Sequence, residues 1–114
     1  MTTLYGIKNC DTVKKARKWL EQNNVNYHFH DVRDDGLDKK LVAEWVAQLG
    51  WETVINKRST SWKELTPSQR ETMDTAAAID AIIATPTLFK RPLLELNKHY
   101  HTGFKATDYE QLFS

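Results

Sequence analysis

Among 114 residues there is one cysteine, and its neighbours make it the first candidate for chemistry. Cys10 lies in the polar run Lys8-Asn9-Cys10-Asp11-Thr12, just after the apolar segment that ends at Gly6. A cysteine placed where a strand ends and a helix begins sits near unsatisfied backbone N–H groups and the positive end of the helix dipole. Both favour the thiolate, which is the nucleophilic form. Lys8 adds positive charge to this loop and Asp11 opposes it. The competing reading is an inert core thiol, since free cysteine is among the most buried residue types. A polar loop weighs against that reading. A lone cysteine excludes an internal disulfide and any multi-cysteine zinc site, so thiol redox chemistry here would draw its second thiol from another molecule.

The second candidate is Thr85-Pro86-Thr87-Leu88-Phe89-Lys90-Arg91-Pro92. A proline just before an apolar strand can hold a cis bond and present backbone groups to a ligand. Arg91 would add a planar fork of donors suited to an oxyanion or a carboxylate, the alternative being a surface arginine in a turn. The pairs His28/His30 and His99/His101 alternate as strand neighbours on one face do. Exposed strand histidines are common and no carboxylate is evident in the sequence to orient them, so no metal site is expected. Trp19, Trp45, Trp51 and Trp62 read as core and shell residues, not a base-stacking platform. Lys14, Lys15, Arg17 and Lys18 read as the solvated face of a helix.

These residues need elements to position them. Thr2 to Gly6 reads as a strand, and Asp11 or Thr12 opens a helix to about Asn23 with Val13, Ala16 and Leu20 as its apolar stripe. Tyr27 to Val32 alternates like a second strand, which makes a right-handed βαβ unit with parallel strands. Asp38 to Leu49 forms a helix on Leu41, Val42, Trp45 and Leu49, stopped by Gly50. The basic stretch Asn56-Lys57-Arg58-Ser59-Thr60 is less regular. Thr66-Pro67 starts a short helix, and Thr75 to Ala84 supplies another. Leu93 to Leu96 and His99 to His101 form a hairpin across Asn97-Lys98. A last helix, about Tyr109 to Phe113, follows Thr107, whose Glu110 completes a capping-box pattern. The order βαβ, helices, ββα describes an α/β domain on a small four-stranded mixed sheet.

Composition sets the outer limits. Apolar residues are 40% of the chain and aromatics 11%, enough for a core. With 16 Lys+Arg against 15 Asp+Glu the formal net charge is +1, which supplies no field for nucleic acid or an anionic membrane. No apolar run approaches the roughly 20 residues of a spanning helix. The opening MTTLYGIKNC lacks a secretory pattern, so a cytoplasmic protein is expected.

The segments Tyr5-Gly6-Ile7-Lys8-Asn9-Cys10-Asp11-Thr12, Lys57-Arg58-Ser59 before Trp62, and Lys90-Arg91-Pro92-Leu93-Leu94 together resemble the ArsC/Spx family. The likeness is closest to its YffB-type branch of arsenate-reductase-like proteins and covers essentially the whole chain. It implies one thioredoxin/glutaredoxin-like domain over 1–114 with a helical insertion at about 36–84. It further implies a catalytic Cys10 flanked by Asn9 and Asp11, a cis Pro92, and anion binding by Arg91. In the family's arsenate reductases a cysteine thiolate attacks the arsenic oxyanion, and glutathione with glutaredoxin resolves the adduct. Three arginines hold the anion there. Here Arg58 lies in the matching segment, and the third position falls on Lys105, a point charge in place of a fork, which weighs against arsenate itself.

The resemblance therefore implies a reductase with no bound cofactor, glutathione as co-substrate and glutaredoxin as a further partner. Arg91, Arg58, Lys105 and Lys8 would be its cations. The alternative within the family is a non-catalytic regulator like Spx, which binds RNA polymerase. The Spx switch is a Cys-x-x-Cys pair, and here Val13 occupies the second position.

Overall fold

Chain order in the computed structural model, which describes residues 2–114, is β1 (Thr2–Gly6), α1 (Asp11–Gln22), β2 (His28–Asp31), α2 (Lys39–Leu49), α3 (Trp51–Val54), α4 (Thr60–Lys63), α5 (Pro67–Glu71), α6 (Thr75–Ala84), a 3-10 turn (Pro86–Leu88), β3 (Leu93–Leu96), β4 (His99–Thr102) and α7 (Ala106–Leu112). The chain forms two compact units, one of residues up to Asp35 together with Arg91–Ser114, the other Gly36–Lys90.

The first unit holds the four-stranded mixed sheet, in the order β2-β1-β3-β4. β1 pairs parallel with β2 and antiparallel with β3, and β3 pairs antiparallel with β4. β1 is buried along its whole length, as a central strand should be. Leu4 stands opposite both Phe29 and Leu94, which places all three on one face. Onto the Leu4 and Leu94 side chains pack Val13, Ala16 and Leu20 of α1 and Tyr109 of α7. Each large aliphatic side chain buried there is worth about 1.5–3 kcal/mol. The stripe expected for α1 is therefore its core face, while Lys14, Lys15 and Lys18 remain exposed. Arg17 is half-buried, with its guanidinium 4.1 Å above the Phe29 ring and Nε donating to the Tyr27 hydroxyl at 3.2 Å. The hairpin turns through Asn97 (φ 50) and Lys98 (φ 65), the left-handed pair that suits the twist of the joined strands.

The second unit is helical. Val42, Trp45 and Val46 of α2 are buried, as are Ala78 and Ile82 of α6. Phe89 is buried with its ring 5.2 Å from Trp45 and bridges to Ile55. Thr66 and Gln69 form a reciprocal capping box ahead of α5, whose first residue is Pro67.

Three local expectations change. The last helix begins at Ala106, not near Tyr109, and its N-cap is Lys105, so Thr107 lies inside the first turn and forms no capping box. Fully buried Tyr109 must face Leu4 and Leu94 from within a formed turn, and that burial outweighs a cap. The buried stripe of α2 includes Val46, whereas Leu41 and Leu49 are only half-buried. The irregular segment after Gly50 contains the single turns α3 and α4, too short to carry a periodic pattern.

Candidate active site

Register brings separate parts of the chain to one end of the sheet. Gly6 pairs with Asp31, Tyr5 with Leu93, and Leu93 with Thr102. The C-terminal ends of β1, β2 and β4 thus meet the N-terminal end of β3. Four segments leave from that end: the Cys10 loop, the turn after Asp31, the Arg91-Pro92 entry to β3, and the Gly103-Phe104-Lys105 exit from β4.

At Gly6 the backbone runs so close to α1 that a Cβ would lie 2.7 Å from Val13 Cγ2. The chain then turns through Ile7-Lys8-Asn9, and the Cys10 N–H donates to the Ile7 carbonyl at 3.3 Å. Cys10 is the extended N-cap of α1 (φ −92, ψ 123), and its carbonyl accepts the Lys14 N–H at 3.0 Å. No side chain caps this helix, so the Cys10 sulfur is not engaged as an ordinary N-cap acceptor. The residue is half-buried and packs against the core cluster, while Asn9 and Asp11 are exposed. The cysteine is thus packed on the core while only partly covered.

The Arg91–Pro92 bond is cis, as expected. Pro92 is buried and Arg91 half-buried. The Pro92 carbonyl accepts the Gly103 N–H at 2.8 Å, which ties the Arg91 segment to the one leading to Lys105. Gly103 is at φ 78, where a side chain would be strained. Lys105 is exposed at the N-cap of α7.

Lys8 is also at this end, but its ammonium is paired with Asp34 at 2.9 Å, both side chains being largely exposed. The hydrogen bond to Asp34, then its charge, raises the Lys8 pKa above the ordinary lysine value. Lys8 is therefore a partnered cation in this structure. Arg58 belongs to the second unit and is not among the residues gathered by the register. It is exposed in the loop between α3 and α4, its N–H donating to Asn56 Oδ1 at 3.0 Å. Beside it Lys57 Nζ lies 5.1 Å and 5.9 Å from the ring centroids of Trp51 and Trp62.

Sequence reasoning missed Asp31. Its carboxyl is buried at the end of β2, with the residue only 5% exposed. Oδ2 accepts the Lys8 N–H at 3.1 Å, and Oδ1 accepts the N–H groups of Arg33 at 2.9 Å and Asp34 at 3.3 Å. Burial alone would raise its pKa; the backbone bonds and the nearby Lys8 charge outweigh burial and hold it below the ordinary aspartate value. The local signal was an Asp at a strand end ahead of a turn, the pattern in which the side chain bonds the backbone just beyond. The bond to Lys8 had no local signal.

The histidine pairs lie on β2 and β4, opposite edges of the sheet. His101 Nε2 is 3.6 Å from Asp108 Oδ2, an unforeseen carboxylate partner. Among the described residues no group of three or more His, Cys, Asp or Glu could hold a metal ion. None of their helices is long and apolar enough to cross a membrane.

Comparison with known proteins places this geometry among relatives. The model of the ArsC family matches residues 5–112. The solved YFFB protein is 41% identical with a TM-score of 0.95, each chain covered in full. An arsenate reductase (ArsC) related protein from Brucella melitensis is 40% identical with a TM-score of 0.80, over 99% of this chain and 94% of that one. The global transcriptional regulator Spx of Streptococcus agalactiae serotype V is 27% identical over 95% of this chain and 80% of its own length.

Proposed function

The chain belongs to the ArsC family and has its arsenate-reductase-like fold, and on that premise we propose that it is a cytoplasmic, glutathione-dependent thiol reductase with Cys10 as its single nucleophile. The observation that carries this reading is a half-buried cysteine, its side chain not used as a cap, at the N-terminus of α1 and at the same sheet end as Arg91. In the first step the Cys10 thiolate attacks one sulfur of a disulfide. A Cys10–substrate disulfide forms, the original S–S bond breaks, and the departing sulfur leaves as a thiolate. In the second step glutathione thiolate attacks the substrate sulfur of that mixed disulfide. Cys10 leaves as thiolate and the substrate carries away glutathione in a new disulfide, which glutaredoxin and further glutathione reduce. No internal cysteine can resolve the intermediate, so the cycle is monothiol.

The backbone N–H groups opening α1 favour a bound anionic group beside Cys10. Arg91 offers its fork to a carboxylate or oxyanion, and Lys105 adds a point charge at the same sheet end. Lys8 is an auxiliary cation only after release from Asp34. A lysine at the third cationic position favours anionic disulfides over arsenate as substrates. The test is reduction of a glutathione mixed disulfide by wild type and Cys10→Ser, with mass spectrometry of wild type after oxidised glutathione. Activity lost in Cys10→Ser and a glutathione adduct on Cys10 are expected; equal activity in the two proteins would overturn the reading.

The likeness to Spx supports a second reading, a regulatory protein that binds RNA polymerase. Val13 in place of a second cysteine denies it an intramolecular disulfide switch, which ranks it below the enzyme. Retention of RNA polymerase by both wild type and Cys10→Ser, with no reductase activity, would establish it instead.

A further inference from the structure

The Asp31 carboxylate stands between two stretches of backbone that are 23 residues apart, the Cys10 loop and the turn after β2. One oxygen holds Lys8 N–H, and the other holds both Arg33 and Asp34 N–H. The Gly6 carbonyl accepts the Val32 N–H at 2.9 Å, so these two segments are clamped on either side of Lys8 and Arg33. The same carboxylate fixes the backbone of both members of the Lys8–Asp34 ion pair, which forms at 2.9 Å across the clamp. A buried carboxylate is costly to retain unless its lone pairs are filled, and here backbone donors fill them. The loop from Ile7 to Cys10 is held besides by the Cys10 N–H bond to the Ile7 carbonyl at 3.3 Å, by the exposed Lys8–Asp34 pair and by the burial of Ile7, so Asp31 supplies the buried polar anchor of the Lys8 backbone.

We propose that Asp31 is the positioning residue of this site: through the Lys8 N–H it sets the loop that presents the Cys10 sulfur at the N-terminus of α1. Asp31 touches no reacting atom. It acts by holding the loop in one conformation, so that the sulfur meets its target already aligned with the helix N–H groups. A displacement of 1 Å at such a nucleophile can cost about 10²-fold in rate. The proposal rests on Cys10 being the nucleophile, and it adds the residue that makes its placement reproducible.

The test compares Asp31→Asn with Asp31→Ala in the full chain, well below the melting temperature of each. Both remove the negative charge, and neither can accept from Lys8 on one side and from Arg33 and Asp34 on the other, so wild type is the reference for each. Asn keeps one acceptor oxygen; Ala keeps none. Expected for Ala relative to wild type are a kcat for mixed-disulfide reduction at least tenfold lower, a KM changed less than twofold, and Cys10 alkylation by iodoacetamide at least threefold slower, with Asn impaired no more than Ala. In the NMR spectrum the Lys8 and Cys10 amide signals should move while those of Leu20 and Tyr109 stay. Loss of thermal stability in Ala with kcat and alkylation rate equal to those of wild type would make Asp31 merely structural and overturn the proposal. Should wild type show no reductase activity, the proposed function fails, but alkylation and the amide signals still decide the role of Asp31.

Discussion

Replacing Gly6 with alanine tests the close approach on which the Cys10 site is built. Gly6 does not owe its identity to a left-handed backbone; the positive-φ glycines are Gly36, Gly50 and Gly103. The constraint is steric. An added Cβ would lie 2.7 Å from Val13 Cγ2 and 3.1 Å from Cγ1, the nearer contact roughly 0.8 Å short of the ~3.5 Å at which carbons attract. Val13 is fully buried, and a β-branched side chain in a helix has essentially one rotamer, so it cannot swing away. Overpacking of this kind costs about 1–3 kcal/mol. The strain would fall on the first turn of α1, where Cys10 is the cap.

Val13→Ala removes both clashing methyls at a cost of about 2 kcal/mol for the cavity. The combined Gly6→Ala/Val13→Ala protein should then be no less stable than Val13→Ala alone, an interaction of about 1–3 kcal/mol within the cycle. Urea unfolding followed by circular dichroism measures the four stabilities, and the Gly6→Ala protein should melt roughly 4–10 °C below wild type. Cys10 alkylation should slow in Gly6→Ala and recover in the combined protein. Additivity within about 0.5 kcal/mol would refute the steric account.

Other substitutions give separate outcomes. The carboxyl of Asp31 has its pKa depressed by folding, so its stabilisation is complete above the unfolded value of about 4 and disappears as pH falls through the lower folded value. Urea unfolding at pH 7, 4 and 3 should show a steeper loss of stability with acid in wild type than in Asp31→Asn. Tyr109 is fully buried, and its hydroxyl has no hydrogen-bond partner among the described residues. Burial raises its phenol pKa far above the ordinary value. Tyr109→Phe should therefore be neutral or about 1 kcal/mol more stable in thermal melts, whereas Tyr109→Ala should lose about 3–5 kcal/mol. Arg91→Lys keeps the charge and loses the planar fork. Its kcat/KM should fall about tenfold for an anionic disulfide and little for a neutral one in parallel kinetic assays.

The chain's own pattern was enough for the elements nearest the site. Val13, Ala16 and Leu20 repeat at helical spacing because one face of α1 must be dry, and that requirement is written locally. Asn97 and Lys98 sit between two short strand segments, and the left-handed turn there follows from residues in direct succession. The monothiol constraint is legible too, because a count of one cysteine needs no coordinates. Tertiary structure decided what depends on distant partners. Tyr109 drew the start of α7 back to Ala106 because its ring had to reach the core. Lys8 reads as a loop cation until folding sets Asp34 beside it, and Asp31 reads as a turn residue until strand pairing brings the Lys8 N–H to its carboxylate. Hydrophobic periodicity repeats within a few residues and survives in the sequence, whereas a hydrogen bond across the sheet end exists only once the register of β1 on β2 is set.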